Sequence, residues 1–149
     1  MSVKLPPGIE DDSSLRLRGE GDVGEAGAPA GDLYVTCHVL PHKYFTRDGT
    51  DLLCETSISM TDAALGTTIQ VPTIEGKLAD VNVPSGTQPG TILRLKGKGL
   101  PSMGSASRGN QLVTLRVSVP TKLSEKQKDL LRQLKQFDEE RKKGGFFRF

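Results

Sequence analysis

The chain has no tryptophan, and aromatic residues make up only 5% of it. Interleaved rings for stacking bases are therefore scarce, and a net charge of +2 is too small to argue for a nucleic-acid partner. Two histidines and two cysteines are the whole stock of soft ligands. His38, His42, Cys37 and Cys54 form no zinc spacing, and two thiols make no disulfide framework. Cys37 and His38 are neighbours on a strand-like stretch, so they point to opposite faces and do not readily share an ion. Cys37 then reads as a core thiol and His38 as part of a solvated face. No metal and no other cofactor is expected. Reduced, structural cysteines suit a cytosol-like compartment. No serine or cysteine is paired with a histidine base, so a nucleophilic triad has no material and no catalysis is expected.

Other absences narrow the class further. No G-x-x-x-x-G-K-S/T run is present, which argues against ATP binding by a P-loop. Residues 19–24, Gly-Glu-Gly-Asp-Val-Gly, match a dinucleotide-binding spacing, but the EAGAPAG that follows cannot open a helix, and Glu20 and Asp22 would repel phosphate. No apolar run approaches a membrane span, and the first residues, MSVKLPPG, carry no apolar signal core. Hydrophobic residues make up 35%, so each folded unit can hold only a modest core.

What the chain does have is a repeat. Residues 3–39 and 81–117 superpose without a gap at an offset of 78, and 13 of the 37 positions are identical. Chance would give about two at ordinary residue frequencies. The shared positions include Leu15/Leu93, Arg16/Arg94, Leu17/Leu95, Gly19/Gly97, Gly21/Gly99, Gly31/Gly109 and Val35/Val113. A repeat of this kind governs the whole fold and is read before any local motif. The second copy has a front half, residues 51–77, that the first copy lacks. The expectation is one whole β unit preceded by the back part of another.

Local patterning fills in the elements. Residues 3–5 read as a short strand ended by Pro6-Pro7-Gly8. Residues 15–18 and 32–40 alternate as half-buried strands, with Leu33, Val35, Cys37 and Val39 on one face and Pro41 as the stop. Residues 42–50 form a joint with a turn at Asp48-Gly49, and its two aromatics, Tyr44 and Phe45, are expected to plug the junction between units. Residues 51–60 alternate again, a short helix capped by Thr61-Asp62 runs through Ala64 to Gly66, and residues 67–71 and 77–83 make a hairpin. Residues 91–96 and 111–119 repeat the two strands of the first copy. After Pro120 the period changes. Ser124 and Gln127 form a capping box, and Leu130, Leu131, Leu134 and Phe137 share one face of a helix that ends in Arg141-Lys142-Lys143 and Gly144-Gly145. An isolated helix of this length is marginal in water, so the leucine face must dock on its own β unit or on a second copy. The tail Phe146-Phe147-Arg148-Phe149 is a frayed end or a short sticky contact. The fold class is mainly β: tandem β-sandwich units over residues 1–41 (N-terminally truncated) and 42–120, then a helix and tail over 121–149.

These residues resemble one family closely. Residues 6–21, PPGIEDDSSLRLRGEG, with Gly31-Asp32-Leu33-Tyr34-Val35 and the run from Phe45 through Arg47-Asp48-Gly49 to Asp51-Leu52, look like the C-terminal region of DnaJ, the heat-shock co-chaperone family, in its bacterial and organellar form. Ala63-Ala64-Leu65-Gly66, Val71-Pro72-Thr73-Ile74-Glu75-Gly76, Pro84 with Gly86-Thr87-Gln88, Gly97-Lys98-Gly99 and residues 120–127, PTKLSEKQ, complete the series. The resemblance covers about 140 residues in the family's order. It implies two β-sandwich domains that hold non-native polypeptides, and a helix that pairs two chains into a homodimer. It also implies a DnaK-type ATPase chaperone as partner, reached through a J domain. The J domain, the glycine/phenylalanine linker and the zinc module are absent from this sequence, as are the first strands of the first client domain. Phe45 is the residue the resemblance carries over as a groove or groove-floor position. Leu15, Leu17, Val35 and Val39 are client-binding candidates by alternation, and each fits plain core equally well. Leu130, Leu131, Leu134 and Phe137 are the dimerisation candidates.

The expected function is therefore that of a co-chaperone fragment which binds unfolded or partly folded polypeptides, without membrane or nucleic-acid partners. The cytoplasm is the expected compartment, with mitochondrial matrix or plastid stroma as alternatives. A rival reading is an assembly module that only dimerises. Another is a β-sandwich that binds nucleic acid or glycans through Arg16, Arg18, Arg94, Lys96 and Lys98, although a solvated sheet face explains that stripe more simply.

Overall fold

The computed structural model describes residues 2–144. The tail expectation on residues 146–149, and Gly145, lie outside the described residues. Strands β1 (Ser13–Leu17) and β2 (Leu33–Cys37) form an antiparallel hairpin. A second sheet has the order β3 (Thr46–Asp48), β4 (Asp51–Ser59), β8 (Gln111–Ser118), β7 (Ile92–Leu95). Strands β5 (Thr67–Pro72) and β6 (Leu78–Val83) make a third, two-stranded sheet. Helix α1 (Met60–Leu65) links β4 to β5, and helix α2 (Glu125–Lys143) follows β8.

The two copies of the repeat share the same hairpin. Leu15 faces Val35 across β1–β2, and Leu93 faces Val113 across β7–β8, so the register is preserved at the offset of 78. Key bonds of their loops recur. Gly21 N donates to Gly31 O at 2.8 Å, and Gly99 N donates to Gly109 O at 2.9 Å. Gly19 N donates to Asp32 Oδ1 at 3.0 Å, and Gly97 N donates to Asn110 Oδ1 at 3.1 Å. Aspartate and asparagine exchange here because the loop needs only an acceptor oxygen. Gly19 and Gly97 both have φ of 72°, a left-handed conformation that costs glycine little. The glycine spacing that imitated a dinucleotide site thus serves a hairpin turn.

The core belongs to the second copy. All the buried hydrophobic side chains described lie between Phe45 and Leu115. Leu52, Cys54 and Ile58 of β4 and Val113 and Leu115 of β8 face Val71, Val81 and Val83 from β5–β6, which closes the sandwich. One feature was not legible beforehand: β4 and β8 run parallel, from Leu52↔Gln111 to Ser59↔Ser118. On the outer face of this ladder Arg116 holds Glu55 at 2.6 Å, and that pairing lowers the Glu55 pKa and raises that of Arg116. Gln111 is wholly buried at the strand's start, and its Nε2 donates to Pro72 O at 2.9 Å.

Four local expectations are corrected. Residues 3–5 are not a strand. Their counterparts, residues 81–83, are a strand only because β5 pairs with them, and among the described residues the first copy supplies no such partner. Strand β2 ends at Cys37, not at Leu40, because Asp11 Oδ1 takes the Val39 amide at 2.8 Å and ends the ladder. Val39, expected on the inner strand face, is therefore off the strand and 43% exposed. The cap of α1 is Ser59, whose Oγ accepts from Asp62 N at 3.1 Å, just ahead of the expected Thr61-Asp62.

Among the described residues strand β2 pairs only with β1, whereas β8 has β7 on one edge and β4 on the other. Amides with no ladder partner open at little cost. Hydrogen exchange of residues 33–37 is expected to be faster than that of residues 111–115 by about a hundredfold or more. Equal protection of the two strands would contradict this and would mean that the outer edge of β2 is covered in solution.

Candidate functional site

Where the first copy meets the second, the chain passes through residues 39–50 without regular structure until β3. Apolar side chains collect here because no strand carries them into either sheet. Phe45 is 6% exposed and packs edge-on against Tyr44, with ring centroids 4.8 Å apart at 82°. His42 braces the turn: its Nδ1 accepts from Tyr44 N at 3.0 Å and from Phe45 N at 3.2 Å. Tyr44 Oη lies 3.1 Å from Thr56 Oγ1 on β4, and burial raises the phenol pKa above its ordinary value. The two aromatics do not plug the junction between units as expected: Phe45 sits inside the second unit's core and Tyr44 packs at that core's margin.

Arg47 ties the two copies together. From β3 its Nη1 donates to Ile9 O at 2.6 Å, its Nη2 to Gly8 O at 2.9 Å and its Nε to Gly49 O at 2.9 Å. A planar, permanently charged fork suits this task, since three carbonyls are held at fixed angles. Gly8 packs directly against the Pro101 carbonyl, so a side chain there would collide with the loop of the second copy. Lysine at 47 can reach one of the carbonyls but not all three. Arg47→Lys is expected to lower unfolding stability by about 1–2 kcal/mol, read as a shift of the urea midpoint at constant slope.

Between the copies lies a groove of about 480 Å³. Ile9, Val39, Leu40, Pro41, Ile74 and Leu100 give it an apolar wall, and Phe45 reaches its floor. Leu40 is 84% exposed and stands beside the other apolar groups of this wall. The volume is in the range of pockets that take a few side chains of a ligand.

Of the client-binding candidates, Phe45 and Val39 come together at this groove. Leu15, Leu17 and Val35 do not; they lie half-buried on the inner face of the β1–β2 hairpin. Sequence reasoning missed Leu40, Pro41, Ile9 and Leu100 as groove residues. The one available signal was Leu40-Pro41, a leucine next to a strand-stopping proline, where no periodic element could bury it.

Helix α2 carries the capping box: Ser124 Oγ accepts from Gln127 N at 3.2 Å, and Ser124 N donates to Gln127 Oε1 at 2.9 Å. None of its residues is buried. Leu130, Leu134 and Phe137 are exposed and Leu131 is half-buried, so the leucine face is not covered by its own β unit. Docking there, one of the two expectations, is not seen.

Asp11, Asp12 and His38 converge with ligand atoms within 4.8 Å of one another, but all three are exposed, and Asp11 Oδ1 and the His38 ring are already used by Val39 N and Asp12. The basic strands are partly neutralised: Arg16 pairs with Asp32, and Arg108 and Lys98 share Glu75. Among the described residues no helix is long and apolar enough to cross a membrane.

Comparison with known proteins follows the same line. The family model described as "DnaJ C terminal domain" matches residues 1–120. The "Chaperone protein DnaJ" of Agrobacterium fabrum is 50% identical over 136 residues, which cover 91% of this chain and 36% of that protein. The protein of the same name from a Geobacillus species is 51% identical over 134 residues, covering 90% of this chain and 35% of the relative. That of Acetivibrio thermocellus is 47% identical over 150 residues, covering 98% and 39%. The chain thus spans a little over a third of the length of these curated relatives.

Proposed function

The chain belongs to the DnaJ C-terminal domain family, and from that premise we propose that it holds unfolded or partly folded polypeptides in the groove at the joint and pairs with a second copy through α2. The single observation that carries the reading is the exposed Leu40 beside Val39 and Pro41 over a floor of Phe45. A shallow apolar groove takes side chains of many sequences, which suits a binder of non-native chains. The polar side chains Asp11, His42 and Arg47 that line it hold backbone groups, in keeping with a non-catalytic role. Work with a DnaK-type ATPase is proposed for the longer protein, through a J domain outside this sequence. The proposed compartment is the cytoplasm, in keeping with free thiols at Cys37 and Cys54.

The test is suppression of aggregation as a denatured protein is diluted from denaturant. The chain is expected to suppress it at near-stoichiometric ratios. Leu40→Asp is expected to weaken suppression about tenfold, the loss of one central apolar anchor, with the unfolding midpoint unchanged because the side chain is exposed. Phe45→Ser is a poorer probe, because Phe45 is core and its loss costs on the order of 3–5 kcal/mol of stability. Full suppression by Leu40→Asp would place the site elsewhere. A wild-type chain that dimerises but suppresses nothing would favour the assembly module.

A further inference from the structure

We infer that α2 pairs with the same helix of a second copy in antiparallel orientation, in the register that sets Leu130 against the partner's Leu134 and Lys126 against the partner's Glu140. This rests on the reading that the chain dimerises through α2, and it adds which of the possible helix pairings is used.

Within α2 the seam positions are Gln127, Leu130, Leu134, Phe137 and Arg141, spaced alternately by three and four residues. That spacing is the 3.5-residue period of two helices packed side by side. A parallel pair would stack Arg141 on Arg141 within the seam and bring both Arg141-Lys142-Lys143 clusters to one end. Like charges opposed there are unfavourable, and two helix dipoles lying side by side in the same direction repel. An antiparallel pair separates the clusters and sets the two helix dipoles head to tail.

Among antiparallel registers, one satisfies the most groups. With Leu130 opposite the partner's Leu134, the other central layer is Leu134 opposite the partner's Leu130. Leu131, which lies beside the seam and is half-buried in the single chain, then meets its own twin at the two-fold axis. On the other flank Lys126 meets the partner's Glu140, twice by symmetry. Sliding by one heptad step puts Arg141 against Leu130 and loses the Lys126 contact.

The single chain has left these two charges available. Lys128 and Arg132 are taken by Glu125 and Asp129 along the helix. Among the described residues the Lys126 ammonium makes no hydrogen bond or ion pair, and the Glu140 carboxylate meets only the Gln136 amide, at 3.5 Å. Both are exposed, so substitutions there leave the β unit untouched.

The experiment is a charge swap on the full chain, read by sedimentation equilibrium. Lys126→Glu and Glu140→Lys are each expected to weaken the dimer about tenfold or more at low salt, because each places two like-charge pairs across the seam. The double variant is expected to recover wild-type affinity. Mixing a Lys126→Cys chain with a Glu140→Cys chain under oxidation is expected to give mainly the mixed disulfide dimer. If the wild type dimerises but the single swaps change nothing, or if Lys126→Cys chains link chiefly to each other, this register is overturned while dimerisation stands. If the wild type is monomeric throughout, both readings fail.

Discussion

Gly109→Ala is expected to destabilise the protein by roughly 3–5 kcal/mol, at the exceptional end for a single substitution, whereas Gly31→Ala at the matching place in the repeat changes stability by about 1 kcal/mol or less. The two glycines occupy the same position in the same hairpin loop and make the same backbone bonds, to Leu100 O and to Asp22 O, each at 3.0 Å. Their surroundings differ. A Cβ on Gly109 would run into the carbonyl group and hydroxyl of Thr50, at the turn between β3 and β4. This is backbone against backbone, and Thr50 O is already fixed by the Leu100 amide at 2.7 Å, so neither side can yield cheaply. At Gly31 the nearest atom to an added Cβ is Asp22 O at 3.8 Å, an ordinary contact. Urea unfolding of the two variants decides the matter. Equal and small effects would mean that the turn at Thr50 does not press on the hairpin loop as described.

A second large effect is expected at α2. If the chain pairs through α2 as proposed, Leu130→Asp together with Leu134→Asp is expected to convert that dimer to monomer, with the mass from light scattering halved at micromolar concentration. Four carboxylates would enter the seam of each dimer, and an unpaired buried charge costs several kcal/mol. Even a loss of about 4 kcal/mol raises the dissociation constant roughly a thousandfold. The helical circular dichroism should fall as well, because a nineteen-residue helix without a docked face is near the limit of stability in water. The β sandwich should keep its unfolding midpoint to within the coupling to dimerisation, since no α2 residue is buried in the single chain. An unchanged mass would assign the contact to another surface.

The strands and the capped helix were legible because each depends on near neighbours. Alternation in residues 51–59 and 111–118 marks two faces whatever lies above them, and Ser124 needs only Gln127 to close its box. The groove was legible only in part. Phe45 came from the resemblance and Val39 from alternation. Val39 turned out to reach the groove because Asp11 ends the strand before it, 28 residues away in sequence. Leu40 was passed over because a single apolar residue outside a periodic run carries no sign of whether it is covered.

By itself the sequence determined that two stretches 78 residues apart share one hairpin, that its turn glycines recur, and that the chain ends its β structure before a capped amphipathic helix. Repetition suffices for this, since equal local chemistry selects equal turns and equal register. Only the tertiary structure decided which copy acquires a core, which of two matching glycines is pressed against a neighbour, and that β4 lies parallel to β8. Those outcomes depend on what packs above a face, and the atoms that do so arrive from some sixty residues away, as Leu52 does for Gln111.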